Sequence, residues 1–476
     1  MTSILAIGTH LPRLRLARTA MAGALGWLTA GAGAGKGTRT LAFWDEDPLT
    51  MAVAAARRAL AGRDRAEVTA LHFASTTAPF AEPQTAALMR AALRLPADCR
   101  AQDSSGTPRA ALLALQAALE GGKPTLIAAG EMPQTLAGSL AESRAGDAGA
   151  AVLTGQGPGL LQYLGGASLS APFTDRYAAQ GLAHPQDWEE RWVREEGYLG
   201  LMPDVIARAL DAAGLTPADV GHFVLPCPIP GVAAALASRA GLSAARLAPT
   251  LAEVCGDTGA AHALLLLGHT LESVAPGDVV LLAQFGQGGT ALVFRAEPAI
   301  AQLAAPVSPQ IAQGVEEQNY MKLLAFRGRI DWDRGLRGRF FVNEALSTAW
   351  RYSDALLGFV GGRCRDTGRV QFPPTRLTAG DGFHLDTQEP WPLADTGGTV
   401  ATFTADLLAF SPHPPNCYGL VDFNGGGRLL MEFTDPGAAE IAPGAPVEFV
   451  FRIKDLDPQT GYRRYFWKAV AAPAGR

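Results

Sequence analysis

Short apolar runs alternate with segments of helical periodicity through residues 1–298. Three early runs are bounded by turn residues and predict buried strands: Ser3–Ile7, Val68–Ala74 and Pro124–Ala129. The segments between them place apolar residues at helical spacing and predict three helices: Leu49–Ala61, Gln84–Leu93 and Ala110–Leu119. Strands that alternate with helices predict an α/β fold with a largely buried sheet.

A second series of the same kind begins at Tyr198. It predicts the helices Tyr198–Ala213, Val232–Ala240 and Thr258–Leu271, and the strands His222–Pro226, Val279–Gln284 and Thr290–Phe294. Two successive series of strands and helices indicate a duplicated unit, because each series contains the same kinds of element.

The pattern changes near residue 298, and the predicted domain boundary lies at about 298–318. Val315–Ala349 is more charged and predicts helix. After Cys364 come short alternating segments rich in Gly and Pro: Gly398–Leu407, Tyr418–Phe423, Gly427–Phe433, Val447–Ile453 and Arg464–Val470. Short strands at this spacing predict a small barrel or sandwich.

Composition and charge exclude several classes of protein. The 476 residues carry a formal net charge of -5, which argues against nucleic acid or an anionic membrane as the main partner. The five cysteines are scattered and odd in number, so a disulfide framework is not expected and a reducing compartment fits. The first residues lack the pattern of a signal peptide, and the apolar stretch Ala260–Leu267 is too short to span a bilayer. We therefore expect a cytoplasmic protein.

Several motifs in residues 1–298 occur in the order typical of one superfamily. They include ILAIGTHLPRLRL, ALHFASTTAPFAEPQ, SSGTPRAALLALQAAL, ESRAGDAGAAVLTG, GDTGAAHALLLLGHTLE and GDVVLLAQFGQGGTALVF. This part of the chain resembles the 3-hydroxy-3-methylglutaryl-CoA synthase and ketoacyl synthase III branch of the thiolase superfamily. The resemblance implies a five-layered αβαβα domain that binds an acyl-CoA thioester and usually forms a homodimer.

Residues 318–476 resemble a family of acyl-CoA-binding OB-fold proteins that are commonly encoded beside thiolases. The motifs are YMKLLAFRGRIDWDRGLRGR, FVGGRCRDTGRVQFPPTRL, GTVATFTADLLAF and the terminal YRRYFWKAV. The resemblance implies a linker and helical lead-in at 299–358, a degenerate zinc-ribbon segment at 359–383 and an OB-fold domain at 384–476. It also implies a thiolase as a possible partner subunit, an inference that depends on family analogy alone.

The ribbon segment departs from the family pattern in its ligands. A structural zinc site needs four ligands, usually two CxxC pairs. Here Cys364 is followed by Thr367, the second pair should fall near Thr378–Phe383 without a cysteine, and His384 alone cannot complete a site. We expect no zinc, and a ribbon held by packing alone.

The family's catalytic cysteine also has no counterpart. It should fall in the segment Gln102–Thr107, where the synthase pattern places Asp103 at its position and the ketoacyl synthase pattern places Ser104 there. A thiolate is the usual acyl carrier because it is strongly nucleophilic. Ser104 could carry an acyl group if a base takes its proton, and Asp103 could itself act as a base. Alternatively, both residues cap the helix that begins near Thr107.

The other two family positions are changed as well. Matching Pro228 places Pro226 where the family has a histidine, with Cys227 adjacent as a possible displaced thiol and His222 more typical of a structural residue. The family's Gly-Asn motif becomes Gly256-Asp257. Asp257 can accept a proton or orient a base but cannot donate amide hydrogen bonds, and it could simply cap the following helix.

One acid matches the resemblance, since Glu82 falls on the synthase's general acid/base position. In an apolar loop its pKa would rise and suit proton transfer, whereas the alternative is a surface glutamate. The segment containing Gly286 and Gly288 matches a loop that supplies a backbone oxyanion donor, or it is a hairpin turn.

The segment Asp187–Tyr198 is dense in charge and contains two tryptophans. In the resembling synthases this region covers the acyl-CoA entrance, so Arg191 and Arg194 could meet the CoA phosphates. Alternating charges are equally typical of a salt-bridged surface helix.

These residues leave three hypotheses open. The first is an enzyme that transfers acyl groups, or makes or breaks carbon–carbon bonds, on CoA thioesters without the usual cysteine. The second is an auxiliary subunit that binds a thiolase and channels a CoA intermediate. The third is a hydrolase or lyase that uses the aspartates.

Overall fold

The computed structural model describes residues 1–29, 35–179, 181–182, 184–243, 245–333, 345–380 and 382–472. The chain forms two compact units. Unit 1 comprises Met1–Ala42, Asp47–Arg90 and Leu95–Leu323, and unit 2 comprises Phe43–Glu46, Ala91–Arg94 and Leu324–Arg476. Residues 299–323, which the sequence assigned to a linker, therefore belong to unit 1.

Unit 1 contains fifteen strands among its described residues. They are β1 (Thr2–His10), β2 (Leu14–Ala17), β3 (Thr38–Leu41), β4 (Ala70–Ala74), β5 (Arg100–Ser104), β6 (Thr125–Glu131), β7 (Ala148–Gln156), β8 (Leu161–Ser170), β9 (Arg176–Tyr177), β10 (Gln186–Asp187), β11 (His222–Val224), β12 (Arg246–Leu247), β13 (Val279–Phe285), β14 (Gly288–Ala296) and β15 (Val315–Glu317). Ten of them form one sheet in the order β12-β11-β13-β14-β8-β1-β7-β6-β4-β5, while β15-β2-β3 and β10-β9 form smaller sheets.

The ten-stranded sheet consists of two halves with the same topology. In the first half, β5, β4 and β6 pair in parallel, and β7 and β1 follow in antiparallel pairing. In the second half, β12, β11 and β13 pair in parallel, and β14 and β8 follow in antiparallel pairing. The duplication predicted from the two series of elements is therefore visible strand by strand.

Helices cover both faces of each half. They are α1 (Arg18–Thr29), α2 (Pro48–Ala59), α3 (Thr85–Leu93), α4 (Ala110–Gly121), α5 (Leu140–Arg144), α6 (Glu190–Trp192), α7 (Met202–Ala213), α8 (Val232–Arg239), α9 (His262–Leu271), α10 (Ser308–Ala312) and α11 (Tyr320–Phe326). The apolar helices α4 and α9 share one buried core with strands from both halves, whereas α7 and α8 pack on the opposite face of the second half. Helix α2 contacts β1, β6 and β7. This layering confirms the predicted α/β fold.

Unit 2 is built mainly from short strands. After α12 (Leu346–Arg351) and α13 (Ser353–Leu356) come β16 (Val360–Cys364), β17 (Val370–Gln371), β18 (Gln388–Pro392), β19 (Gly398–Val400), β20 (Thr404–Asp406), β21 (Asn416–Phe423), β22 (Arg428–Glu432), β23 (Pro446–Leu456) and β24 (Arg463–Ala471). Strands β16–β18 form a small sheet of their own. The barrel strands run in the order β20-β21-β19-β23-β24, with β22 against β21, around buried aromatic rings that include Phe359, Phe449 and Trp467.

The ribbon segment is held by polar side chains as well as by packing, which corrects the expectation of packing alone. Arg376 and Asp386 form an ion pair at 2.6 Å, and the Cys364 Sγ lies 3.2 Å from the Thr387 hydroxyl. His384 pairs with Asp366 at 2.9 Å. Such contacts can replace part of the constraint that a metal ion would supply.

Across the described residues, no helix combines the length and apolar character needed to cross a bilayer.

Candidate functional site

The loops that follow the parallel strands of unit 1 contain several of the residues proposed from the sequence or lying close to them. In open α/β sheets the loops at the carboxyl ends of the strands form the usual ligand crevice. Here Thr76 follows β4, Glu131 ends β6, Cys227 follows β11 and Gly286 follows β13. These loops are the place to look for the residues proposed from the sequence.

Asp103 has a structural role that differs from each of its predicted roles. It lies on edge strand β5, and its carboxylate accepts the backbone N–H groups of Thr85 at 2.8 Å and Ala86 at 2.7 Å. It therefore caps α3, since a carboxylate at a helix start satisfies the unpaired N–H groups there. The expected cap on the helix near Thr107 is wrong, because α4 begins at Ala110 and Arg109 precedes it without a side-chain cap.

Ser104 is the last residue of β5 and not the first of a helix. Its backbone carbonyl accepts the N–H of Ser75, and its side chain is half-buried. The position that would activate a nucleophile, a helix N-terminus, is thus several residues further along the chain.

Arg109 organises the glycine-rich loop that follows β13. Its buried guanidinium donates to the carbonyls of Gly286 at 2.6 Å, Gln287 at 2.9 Å and Gly289 at 3.2 Å, and to the Thr290 hydroxyl at 3.0 Å. Burial lowers the pKa of Arg109, because a low dielectric disfavours the charged form. Three carbonyl acceptors in one loop hold the loop in a single conformation.

The glycine loop is a hairpin turn, as one of the two sequence interpretations held. Gly286 and Gln287 join the antiparallel strands β13 and β14, and the Gly286 N–H donates to the Gly288 carbonyl at 3.0 Å. Gly286 is required for space, because a Cβ there would lie 2.7 Å from the Thr107 hydroxyl. Gly288 has φ +112, and a Cβ there would lie 2.0 Å from the Leu169 carbonyl.

Tyr198, Cys227 and Asp257 come together in unit 1. Tyr198 and Cys227 are both buried and close enough to influence each other's ionisation, and the Cys227 thiol donates to the carbonyl of Ile229 at 3.6 Å. Asp257 is half-buried, and its charge acts on both of these groups. Asp257 is thus a predicted catalytic residue whose charge acts on two buried ionisable groups.

Burial determines the protonation states of Cys227 and Tyr198. Burial raises the pKa of Cys227 to about 11, with a smaller contribution from Asp257. Burial, followed by the charge of Cys227, raises the pKa of Tyr198 well above its usual value. At neutral pH both groups are therefore protonated, and Cys227 does not have the thiolate character of an activated nucleophile.

Tyr198 lies on a π-helix. The nine-residue π-helix Val193–Leu201 connects α6 to α7, and such wide helical turns occur often at functional sites. Gly197 permits it to pack closely, because a Cβ there would lie 2.7 Å from the ring of Phe285. Tyr198 in turn contacts the ring of Phe285 at a centroid distance of 4.6 Å. The sequence predicted ordinary helix here and did not indicate the π-helix.

Asp257 also binds the start of the following short helix, although Thr258 and not Asp257 is the N-cap residue. One carboxylate oxygen accepts the Gly259 N–H at 3.0 Å, and its backbone pairs with Arg144 and Gly146. His262, one turn later, is buried beside Thr258, and burial lowers its pKa. Asp257 therefore binds the start of the following helix, and its charge also acts on Cys227.

Glu82 lies on the surface, which corrects the expectation of an acid in an apolar loop. The buried acid of this region is Glu131, which the sequence reasoning missed. Glu131 accepts from the hydroxyls of Thr76 and Thr77, each at 2.7 Å, and from the backbone N–H of Ala260 at 3.2 Å. Its position at the end of the apolar strand LIAAGE was the available signal, because a carboxylate there must be satisfied by buried donors.

The arginines predicted to meet CoA lie on an exposed surface. Arg191 is exposed on α6, and Arg194 pairs with the neighbouring Glu195 at 2.6 Å. The salt-bridged interpretation therefore holds for Arg194. A different arginine reaches the polar loops, because Arg176 donates to the Thr76 hydroxyl at 3.1 Å.

In unit 2, Cys364, Asp366 and His384 are the described groups whose donor atoms could approach one metal ion. These atoms lie within 4.8 Å of one another. The hydroxyls of Thr367 and Thr387 lower the pKa of Cys364 to about 6, which favours the thiolate. Three donors fall short of the four that a structural zinc site uses, so the absence of zinc stays a prediction.

Two family models match parts of the chain. Residues 210–296 match the C-terminal part of 3-oxoacyl-[acyl-carrier-protein] synthase III. Residues 391–452 match the C-terminal OB-fold domain of ChsH2. The first match covers Asp257 and the glycine loop, and the second covers most of the barrel.

Curated relatives and solved structures are similar to part of the chain. Hydroxymethylglutaryl-CoA synthase of Aeropyrum pernix is 27% identical over 252 residues, which cover 51% of this chain and 70% of that protein. The synthase of Methanosphaera stadtmanae is 25% identical over 311 residues, which cover 62% and 88%.

Among solved structures, an HMG-CoA synthase complexed with CoA matches with a TM-score of 0.61 at 17% identity, over 72% of this chain and 94% of that one. The 3-oxoacyl-[acyl-carrier-protein] synthase III of Aquifex aeolicus matches with a TM-score of 0.52 at 20% identity, over 62% and 100%. The chain therefore joins a thiolase-like α/β domain to a C-terminal OB-fold domain.

Proposed function

We propose that this protein binds CoA thioesters in its thiolase-like unit and promotes acyl transfer, or formation or cleavage of a carbon–carbon bond, without a covalent acyl-cysteine. The observation that carries the proposal is the half-buried carboxylate of Asp257, which accepts the Gly259 N–H with one oxygen and whose charge acts on the buried Tyr198 and Cys227. Relatives named for HMG-CoA chemistry, and a similar structure that contains CoA, support a thioester as the ligand.

In the proposed chemistry, Asp257 removes a proton from the substrate. One oxygen of Asp257 accepts the Gly259 N–H, and among the described residues the other has no hydrogen-bond donor. That oxygen can take a proton from the carbon next to one thioester carbonyl, which a carboxylate does when it is held close to the substrate. The enolate so formed attacks the carbonyl of a second thioester, a carbon–carbon bond forms, the C–S bond of that second thioester breaks, and its CoA leaves as the thiol after taking the proton back from Asp257. The protonated Tyr198 can donate a hydrogen bond, because its raised pKa keeps the hydroxyl intact at neutral pH. Asp103 and Glu82 take no part in this scheme.

Homodimerisation and a cytoplasmic location belong to the same proposal. They derive from the family resemblance and from the scattered cysteines. Neither is needed for the chemistry assigned to Asp257.

The test combines binding and turnover on the full chain. Calorimetry with CoA and acetyl-CoA should show saturable binding, and Asp257→Asn should retain it, because the substitution preserves shape. Release of free CoA should depend on Asp257 and be unaffected by Glu82→Ala, a matched acid on the surface. Absence of binding for both ligands would overturn the proposal.

A second candidate function is an auxiliary subunit that binds a thiolase and channels a CoA intermediate. It is favoured by the protonated state of Cys227 and by the use of Asp103 to cap α3. In this case CoA thioesters bind, but turnover requires an added thiolase and is the same in Asp257→Asn as in the unaltered chain.

A further inference from the structure

A cavity of about 200 Å³ lies against the barrel of unit 2. Its lining comes from β21, β22, β23 and β24 and includes Asn416, Tyr418, Glu432, Lys454, Phe466 and Lys468. OB-fold barrels commonly bind ligands on the face of their second and third strands. The hairpin of β21 and β22 follows the first barrel strands, so the cavity has that location.

Lys468 serves the structure of the cavity wall. Its ammonium is buried and pairs with Asp45 at 2.9 Å and Glu432 at 3.1 Å. It also lies 4.2 Å from the ring centroid of Trp44, which is a favourable cation–π distance. Because these partners already surround the ammonium, Lys468 has little left to offer a ligand.

Lys454 differs from Lys468 in exposure and in partners. Its side chain is 42% exposed, and it pairs with Glu432 at 2.8 Å. An ammonium has three donors, so at least one remains for an incoming anion. Glu432 does not repel that anion strongly, because both of its oxygens already contact lysine ammonium groups.

The rest of the lining suits a flat ring with polar edges. Tyr418 and Phe466 contribute aromatic surface, and heterocycles stack on such surfaces. Asn416 and Tyr418 occupy alternate positions of β21, so both lie on one face of the strand. A carboxamide both donates and accepts, as the edge of an adenine ring requires.

The volume limits what the cavity can hold. Pockets for whole drug-sized ligands measure roughly 300–1,000 Å³, which is larger than this one. It is therefore of a size for a single ring system, with a charged group at the rim near Lys454.

We propose that this cavity binds an adenylate group, a heterocycle that carries a phosphate, with the ring beside Asn416 and Tyr418 and the phosphate at Lys454. Two sources have this chemistry: a free adenine nucleotide and the nucleotide end of CoA. The site lies in unit 2 and does not depend on the chemistry assigned to Asp257.

The experiment titrates the full chain with AMP and follows binding by calorimetry. Adenosine and ribose 5-phosphate, which supply the ring and the phosphate separately, serve as partial ligands and should each bind more weakly. Lys454→Ala should weaken AMP binding about tenfold, the loss of one charge-assisted hydrogen bond. Lys123→Ala, an exposed lysine of unit 1, should leave it unchanged. Asn416→Ala provides a second variant that removes no charge.

Competition distinguishes the two sources. If CoA displaces AMP, and pantetheine does not, the nucleotide end of CoA is the natural occupant. If CoA does not displace AMP, a free nucleotide is. Absence of saturable AMP binding, or equal affinity in Lys454→Ala, Asn416→Ala and the unaltered chain, would overturn the proposal. The proposed thioester function would survive that result if CoA still bound and its turnover still depended on Asp257.

Discussion

Two polar regions of unit 1 differ in how their side chains are used. In the segment Asp103–Arg109, where the family pattern predicts the nucleophile, Asp103 caps α3 and Arg109 binds the glycine loop. In the group Tyr198, Cys227 and Asp257, the two buried groups Tyr198 and Cys227 keep their protons at neutral pH, and the charge of Asp257 acts on both. A residue that falls on a family's catalytic position does not keep the family's chemistry when its polar atoms already bind backbone groups, as those of Asp103 do.

We expect the largest effect on stability from the removal of the Arg109 side chain. Arg109→Ala leaves the carbonyls of Gly286, Gln287 and Gly289 without their donor, and a buried carbonyl without a partner costs about 1–3 kcal/mol. We expect the free energy of unfolding, measured by urea denaturation, to fall by about 4 kcal/mol. Arg208→Ala, on the exposed face of α7, is the control and should cost under about 0.5 kcal/mol. A small effect of Arg109→Ala would show that the loop is held by other contacts.

A second substitution tests the packing of the π-helix against Phe285, beside Tyr198. Gly197→Ala places a methyl group 2.7 Å from the ring of Phe285, and overpacking of this kind costs about 2 kcal/mol. The neighbouring Gly200→Ala brings its methyl group no nearer than 3.3 Å to any atom. We expect a clear loss of thermal stability in the first variant and little change in the second. Equal stability of the two variants would contradict the assigned role of the Phe285 contact.

The raised pKa of Cys227 makes a prediction about pH. The ordinary pKa of a thiol is near 9, and in the folded protein that of Cys227 is about 11. Between these values the unfolded chain ionises and the folded chain does not, so stability falls as the pH rises from 9 to 11. We expect this loss to be roughly 1–2 kcal/mol larger in the unaltered chain than in Cys227→Ala. Parallel stability curves for the two proteins would show that Cys227 is not protected from ionisation.

The smallest effect concerns the cap at α3. Asp103→Ala removes the acceptor of two backbone N–H groups and should cost about 1 kcal/mol of unfolding free energy. Asp103→Asn keeps an acceptor and should cost less. Binding of CoA should be the same in both variants. If a stable Asp103→Asn protein no longer bound CoA, Asp103 would have a role in the ligand site and not only in capping α3.

The sequence predicted the fold much better than the site. Apolar runs and helical spacing determine the order of strands and helices, so the duplicated α/β unit and the barrel were both predictable. The partners of individual side chains were not, because they depend on which loops the fold brings together. Asp103 illustrates this, since its partners Thr85 and Ala86 lie on a helix earlier in the chain. The π-helix that positions Tyr198 also has no periodicity that distinguishes it from an α-helix in advance.

The most direct test of the central claim is mass spectrometry of the intact protein after incubation with acetyl-CoA. We predict saturable binding of the thioester with no covalent increase in mass, because Cys227 is protonated and buried and Ser104 lies on a strand. An acetyl group found on Cys227 or Ser104 after digestion would contradict it.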